Sequence, residues 1–210
     1  MKKIPLLLLF ALTSCGIAYD GETRLITETT VLDRNGNLLQ DIEVKITAQN
    51  GSYTDVVSSG FSNATGNTQL IFPKPENSSM EISFSNPALG YETKMFYDVT
   101  PDDFDNYKLV MDQVVVLKAD DIVNLEVQFV NTFADNKTFV SANLVGLVAA
   151  PQLLNQTQQQ FNGETQAFRV AKNQTVIINY TLFDNATQLS SDYSLPVLIE
   201  NDPVVQPINY

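Results

Sequence analysis

The side chains that most often carry catalysis are nearly missing from this chain. Histidine is absent, and cysteine occurs once, at Cys15. Without histidine there is no ordinary general base near neutral pH, no Ser-His-Asp arrangement and no histidine-containing zinc site. A lone thiol forms neither an internal disulfide nor a thiolate metal cluster. Neither Gly-x-Ser-x-Gly nor Ser-x-x-Lys is present to activate a serine. What survives is carboxylate chemistry, hydroxyl or lysine nucleophiles, and oxygen-ligated calcium. Asp33, Asn35, Asn37 and Asp41 set oxygens at spacings reminiscent of a calcium loop. The twelfth position is Val44 rather than Glu and the glycine, Gly36, falls at the fourth, so a helix-loop-helix site is excluded and a β-turn explains these residues. Asp102, Asp103 and Asp105 are the densest acidic cluster and the calcium candidates, weighed against a solvated loop. Glycoside hydrolysis needs two carboxylates facing each other across a cleft. With 24 acids, no pair is singled out by spacing. The expectation is a protein that is not an enzyme and holds no cofactor and no catalytic metal.

The N-terminus carries a different kind of chemistry. Lys2 and Lys3 precede an apolar run from Ile4 to Leu12, the charged and hydrophobic regions of a secretory signal. That run is too short to span a bilayer, which takes about 20 apolar residues. Leu12-Thr13-Ser14-Cys15, with small residues directly before the single cysteine, resembles the lipobox of bacterial lipoproteins. The resemblance implies cleavage before Cys15, two acyl chains on its sulfur and a further one on the new N-terminus. Each buried CH2 contributes about 0.8 kcal/mol, so two or more chains anchor stably where one does not. Residues 1–14 are then the signal, 15–23 a tether, and Cys15 the attachment to the cell envelope, expected at the outer membrane. The alternative is an ordinary secretory signal cut nearby, for instance after Ala18.

Of the 210 residues 44% are hydrophobic and 17% charged, the balance of a folded chain. A formal charge of −12 repels phosphate backbones and anionic headgroups alike. No nucleic-acid partner is expected, and the lipid rather than a basic patch makes the membrane contact. Tryptophan is absent, which leaves 8 Tyr and 12 Phe as the aromatic surface for any sugar stacking.

These residues must be positioned by strands. From Arg24 the chain is a series of alternating runs broken by Gly, Asn, Pro and Asp. Ile42, Val44 and Ile46 alternate with Glu43, Lys45 and Thr47, one face apolar and one wet. Turns are expected at Asp33-Arg34-Asn35-Gly36-Asn37 and Asn63-Ala64-Thr65-Gly66-Asn67, where glycine can take a positive φ. Val31-x-Asp33-x-x-Gly36-x-x-Leu39-x-x-Ile42-x-Val44, then Ser62-Asn63-x-x-Gly66-x-x-x-Leu70-x-x-Pro73, then Ile82-x-Phe84 leading to Gly90-Tyr91, resembles the carboxypeptidase regulatory-like domain. That resemblance implies a Greek-key β-sandwich of the transthyretin type over 24–118, with no active site. Leu38 and Asp41 depart from it, standing where proline and glycine are usual. Thr100-Pro101-Asp102-Asp103 fits a single helical turn with Thr100 as N-cap.

Ala119-Asp120-Asp121 is the expected boundary. Beyond it, residues 119–210 read as a second, unlike β-sandwich, Ig-like. Pro151 to Phe161 reads as an exposed connection or short helix. Thr165 to Val170 and Thr175 to Phe183, about a turn at Lys172-Asn173-Gln174, read as the clearest hairpin. Pro196, Pro203 and Pro207 point to edge strands or bulges. The expectation is all-β, two tandem sandwiches, in an anchored envelope lipoprotein that binds or scaffolds. A glycan-binding accessory of polysaccharide uptake is the alternative, and a protein or a glycan the expected partner.

Overall fold

In the computed structural model, residues 16–131, 137–154, 159–161, 165–200 and 202–210 are described, 159 and 160 by backbone alone. Cys15, the expected lipid attachment, and the residues before it lie outside them. The chain is all-β, two tandem β-sandwiches.

The first sandwich is built from β1 (Tyr19–Leu32), β2 (Glu43–Asn50), β3 (Tyr53–Phe61), β4 (Asn67–Pro75), β5 (Ser79–Asn86), β6 (Tyr91–Val99) and β7 (Lys108–Val115). One sheet has the order β4-β1-β7, with β7 parallel to β1; the facing sheet runs β6-β5-β2-β3, antiparallel throughout. Strict alternation explains the layers: Val44, Ile46 and Ala48 of β2 and Met80, Ile82 and Phe84 of β5 are all fully buried, and the residues between them are not. Burying each larger aliphatic or aromatic side chain contributes about 1.5–3 kcal/mol. Phe72 meets Phe104 edge-on at 6.0 Å across this core.

The second sandwich uses β8 (Ile122–Val130), β9 (Lys137–Val145), β11 (Gln159–Phe161), β12 (Thr165–Ala171), β13 (Gln174–Asp184), β14 (Leu189–Ile199) and β15 (Val204–Asn209), with β10 (Gln152–Leu153) lying elsewhere. Its sheets are β12-β8-β15 and β11-β9-β13-β14, and β15 is parallel to β8. Matched in chain order, these seven strands pair just as β1 to β7 do: a central first strand flanked by the fourth and the last, facing a sheet that runs third-second-fifth-sixth. The two sandwiches were expected to be unlike. They share one topology, which their sequences hide because only the alternation of buried positions is common to them.

Three other expectations are corrected. Residues 15–23 were expected to be a tether, but β1 begins at Tyr19, opposite Pro75, and Glu76 N donates to Ala18 O at 2.8 Å. Backbone pairing needs no apolar alternation, so the pattern gave no sign of it. The expected hairpin is not one: β12 pairs with β8, while β13 pairs with β9 and β14, so the turn at Asn173 (φ 54°) crosses between sheets. The hairpin is β13–β14, paired over 11 positions. Pro151 to Phe161, read as exposed or helical, supplies β10 and β11 and buries Phe161.

The two glycine turns close alike. Asp33 Oδ1 accepts from Asn35 N (2.8 Å) and Asn37 N (2.9 Å), and Asn63 Oδ1 accepts from Thr65 N (2.9 Å) and Asn67 N (3.1 Å). Gly36 and Gly66 sit at φ +82° and +70°. Asp41, standing where the resembled family has glycine, has φ 63°. The prolines of β14 and β15 do lie on edge strands.

Candidate functional site

Two of the expected calcium ligands, Asp103 and Asp105, make local hydrogen bonds. Pro101–Asp103 is a 3-10 turn after Thr100. The Asp103 carboxylate accepts from Thr100 N (2.7 Å) and Thr100 Oγ1 (3.0 Å), a local cap. Asp105 accepts from the neighbouring Asn106 amide at 3.1 Å. Among the described residues no three acidic side chains come together to hold a metal ion. At the other turn, burial alone would raise the Asp33 carboxyl, but hydrogen bonds from Asn37 and Asn35 outweigh it and hold the group below the ordinary carboxylate value. That is a turn-closing carboxylate, not a ligand ladder.

One buried charged side chain was not singled out by the sequence. Lys94 lies on the core face of β6, opposite Phe84, and is only 7% exposed. Its Nζ donates to Val148 O (3.3 Å) and Ala150 O (3.1 Å) and lies 5.5 Å from the Phe96 ring centre. Burial pushes the ammonium down to about 8. The carbonyls belong to the segment that carries β10 onto the edge of β6, where Gln152 and Leu153 pair in parallel with Phe96 and Tyr97. Lys94 therefore fastens a piece of the second half to the sheet of the first. Leu154 packs on that same first core, so the second half does not keep all of its residues to its own sandwich.

Other contacts join the sandwiches near this clamp. Arg169 forms a two-pronged pair with Glu92, at 2.9 and 3.3 Å. Arg34, from the first glycine turn, donates to Lys172 O at 2.6 Å and lies 3.7 Å from Asp121. Lys172 Nζ reaches Asp120 O. The connection itself is bonded at both ends: Glu92 N donates to Leu117 O (2.9 Å) and Ala119 N to Gly90 O (2.9 Å). The exposed ion pairs contribute little individually. The buried lysine and the added strand fix the join.

A second feature lies on the outer, non-core face of β9, β13 and β14. Two rows of polar side chains cross these strands, Asn143-Asn179-Ser194 and Ser141-Thr181-Asp192, one residue from each strand in register. Asn179 Nδ2 donates to Asn143 Oδ1 (3.1 Å), and Ser194 Oγ donates to Asn179 Oδ1 (2.8 Å). Thr181 Oγ1 donates to Asp192 Oδ1 at 2.7 Å. Between the rows runs an open trough of about 680 Å3, floored by the intervening register row of Phe161, Ala142, Tyr180 and Tyr193, whose side chains point to the opposite, core side of the sheet. The Tyr193 ring stacks on Tyr180 at 5.1 Å and 15°, and burial, then the neighbouring Tyr193, raise the Tyr180 phenol above its usual value. The trough offers hydroxyls, amides and one carboxylate, with no positioned nucleophile and base. Sequence reading missed it because the signal, a Ser/Asn/Thr/Asp set at outward positions, acquires meaning only once β13 is paired with β9 and β14.

No protein-family model matches the chain, and no curated protein matches it. The resemblance to the carboxypeptidase regulatory-like domain thus rests on its turn and core residues. Among solved structures the chain is similar to the Bacillus anthracis TIE protein, at 15% identity and TM-score 0.33, covering 90% of this chain and 34% of that one. It is similar to a streptococcal ancillary pilin at 12% and 0.33, covering 90% and 62%. It is similar to the shaft pilin SpaA from Lactobacillus rhamnosus GG at 10% and 0.31, covering 89% and 96%. The chain thus spans less than two thirds of the first two. Likenesses this distant assign no role, and the fold described above is read from this chain's own strands.

Proposed function

We propose that this protein is a lipid-anchored cell-envelope module that binds or scaffolds without catalysis, held to the membrane through Cys15. The observation that carries the reading is how little chain separates the anchor from a joined body. Three residues lie between Cys15 and the start of β1, and the sandwich that β1 founds is fastened to the next by β10 and Lys94. A short anchor on a braced pair of sandwiches suits a fixed support better than a tethered enzyme that must reach its substrate. No helix among the described residues is long and apolar enough to cross a membrane; in this reading acyl chains on Cys15 make the attachment. The outer membrane is the proposed location. The glycan-binding alternative shares the anchor and differs in what the exposed faces hold.

The test is fractionation of cells expressing the full chain or Cys15→Ala. The wild type is expected in the detergent-soluble membrane fraction, and the variant is expected to lose acylation and leave it. Hydrolytic activity in the purified protein, lost on mutating a specific acid pair, would overturn the non-catalytic part of the reading.

A further inference from the structure

The shared topology supplies an internal control. The sheet face that bears the trough has a counterpart in the first sandwich, the outer face of β2 and β5. There the outward positions hold the charges Glu43, Lys45 and Glu81 among Thr47, Gln49, Ser79, Ser83 and Ser85, with Lys45 paired to Glu43 at 3.5 Å. Such a face is an ordinary solvated one. On β9, β13 and β14 the same face has Ser, Asn and Thr in place of those charges, with Asp192 as its one ionisable carboxylate among the described lining. Nothing in the fold requires the substitution, since both faces cover equivalent cores.

The chemistry of the lining narrows the ligand. An anion would meet Asp192 with no lysine or arginine in the trough to offset it, so phosphate, sulfate and uronate groups are disfavoured. An apolar ligand would strip water from two rows of amides and hydroxyls at a cost of about 1–3 kcal/mol for each group left unpaired. A neutral polyol satisfies these groups instead. Its hydroxyls donate to the Asp192 and Asn oxygens and accept from amide N–H and hydroxyl groups, so the two rows are satisfied by hydrogen bonds alone, the Tyr193 ring lying with Tyr180 on the other side of the sheet. The trough volume, about 680 Å3, falls within the range of small-ligand sites, roughly 300–1,000 Å3. Being open rather than enclosed, it admits a chain that continues past both ends. We infer that the outer face of β9, β13 and β14 is a binding site for a neutral glycan chain, with Asn179, bonded to both Asn143 and Ser194, as its central contact. The inference rests on the reading of the protein as a non-catalytic binding module and names the ligand class for it.

The test is affinity electrophoresis of the detergent-solubilised full chain through gels containing dextran, mannan, galactan, xylan or polygalacturonate. Retardation by at least one of the four neutral polymers is expected, with none by polygalacturonate. Asn179→Ala is expected to weaken the retardation at least tenfold, and Lys45→Ala, on the counterpart face, to leave it unchanged. Should Asn179→Ala fail to fold, the surface changes Ser194→Ala and Thr181→Ala decide, each expected to weaken retardation severalfold. The inference is overturned if no neutral polymer retards the protein, if polygalacturonate retards it equally, or if retardation survives the trough substitutions. Each of those results leaves acylation at Cys15 to stand or fall by its own measurement.

Discussion

Lys94 makes a prediction that runs against the usual behaviour of lysines on a protein surface. In the unfolded chain its ammonium titrates near 10.5, and in the folded one burial brings it down to about 8. Between those values the unfolded chain holds a proton that the folded one has released. Stability must then rise as pH rises through that interval, whereas at neutral pH both states are protonated and the folded state bears the full burial penalty. From pH 7 to 10 the gain is about 2–3 kcal/mol, at 1.36 kcal/mol per unit of difference. The neutral amine keeps two N–H donors, enough for the Val148 and Ala150 carbonyls, so deprotonation does not undo the clamp. Tyrosines act in the opposite sense and only higher: Tyr19 is pushed up to about 12, by burial and then by its hydrogen bond to Asp55, so it destabilises the fold only above pH 10. Urea denaturation at pH 7, 8, 9 and 10 should show the rise in the wild type and lose most of it in Lys94→Met. An equal rise in Lys94→Met, or a wild type that loses stability over this interval, would refute the reasoning.

Further substitutions probe the turns and the first core. Gly36→Ala should cost about 1 kcal/mol, the penalty for its positive φ alone, since nothing lies within 4 Å of an added Cβ. Gly66→Ala should cost more, roughly 2–4 kcal/mol, because its Cβ would sit 2.8 Å from the Val31 carbonyl oxygen; equal losses in melts of the two variants would contradict this. Thr27 and Thr29 bury hydroxyls that find no hydrogen-bond partner among the described residues, so each Thr→Val change should stabilise by about 1 kcal/mol in the same assay. Tyr107 follows Asn106 in a tight turn with both residues at positive φ, 67° and 48°, and its side chain is 60% exposed. Tyr107→Gly should therefore raise stability, by about 1 kcal/mol.

How much of this was legible depends on whether the information was local. The glycine turns, the N-cap at Thr100 and the alternation through Val44 and Ile46 were readable because each is decided within a few residues. Asp41 was visible as a departure from a family pattern, and its φ of 63° shows that the backbone kept the conformation for which glycine is suited. Strand partners were not readable. β12 and β13 have the alternation and the turn of a hairpin, yet they bury their apolar faces from opposite sheets, and nothing local distinguishes the two outcomes. Lys94 was illegible for the same reason. Its burial is tolerable only because carbonyls some fifty residues later in the chain meet its ammonium. The polar trough likewise consists of single outward residues from three strands, and it exists only in their register.

We propose that Cys15 carries the lipid by which this braced pair of sandwiches is held to the envelope. Intact-mass measurement of the full-length protein extracted from membranes tests it most directly. The expected species is a chain beginning at Cys15 with the added mass of its acyl groups. A chain that retains an unmodified Cys15, or that begins beyond it, would rule out lipid attachment there.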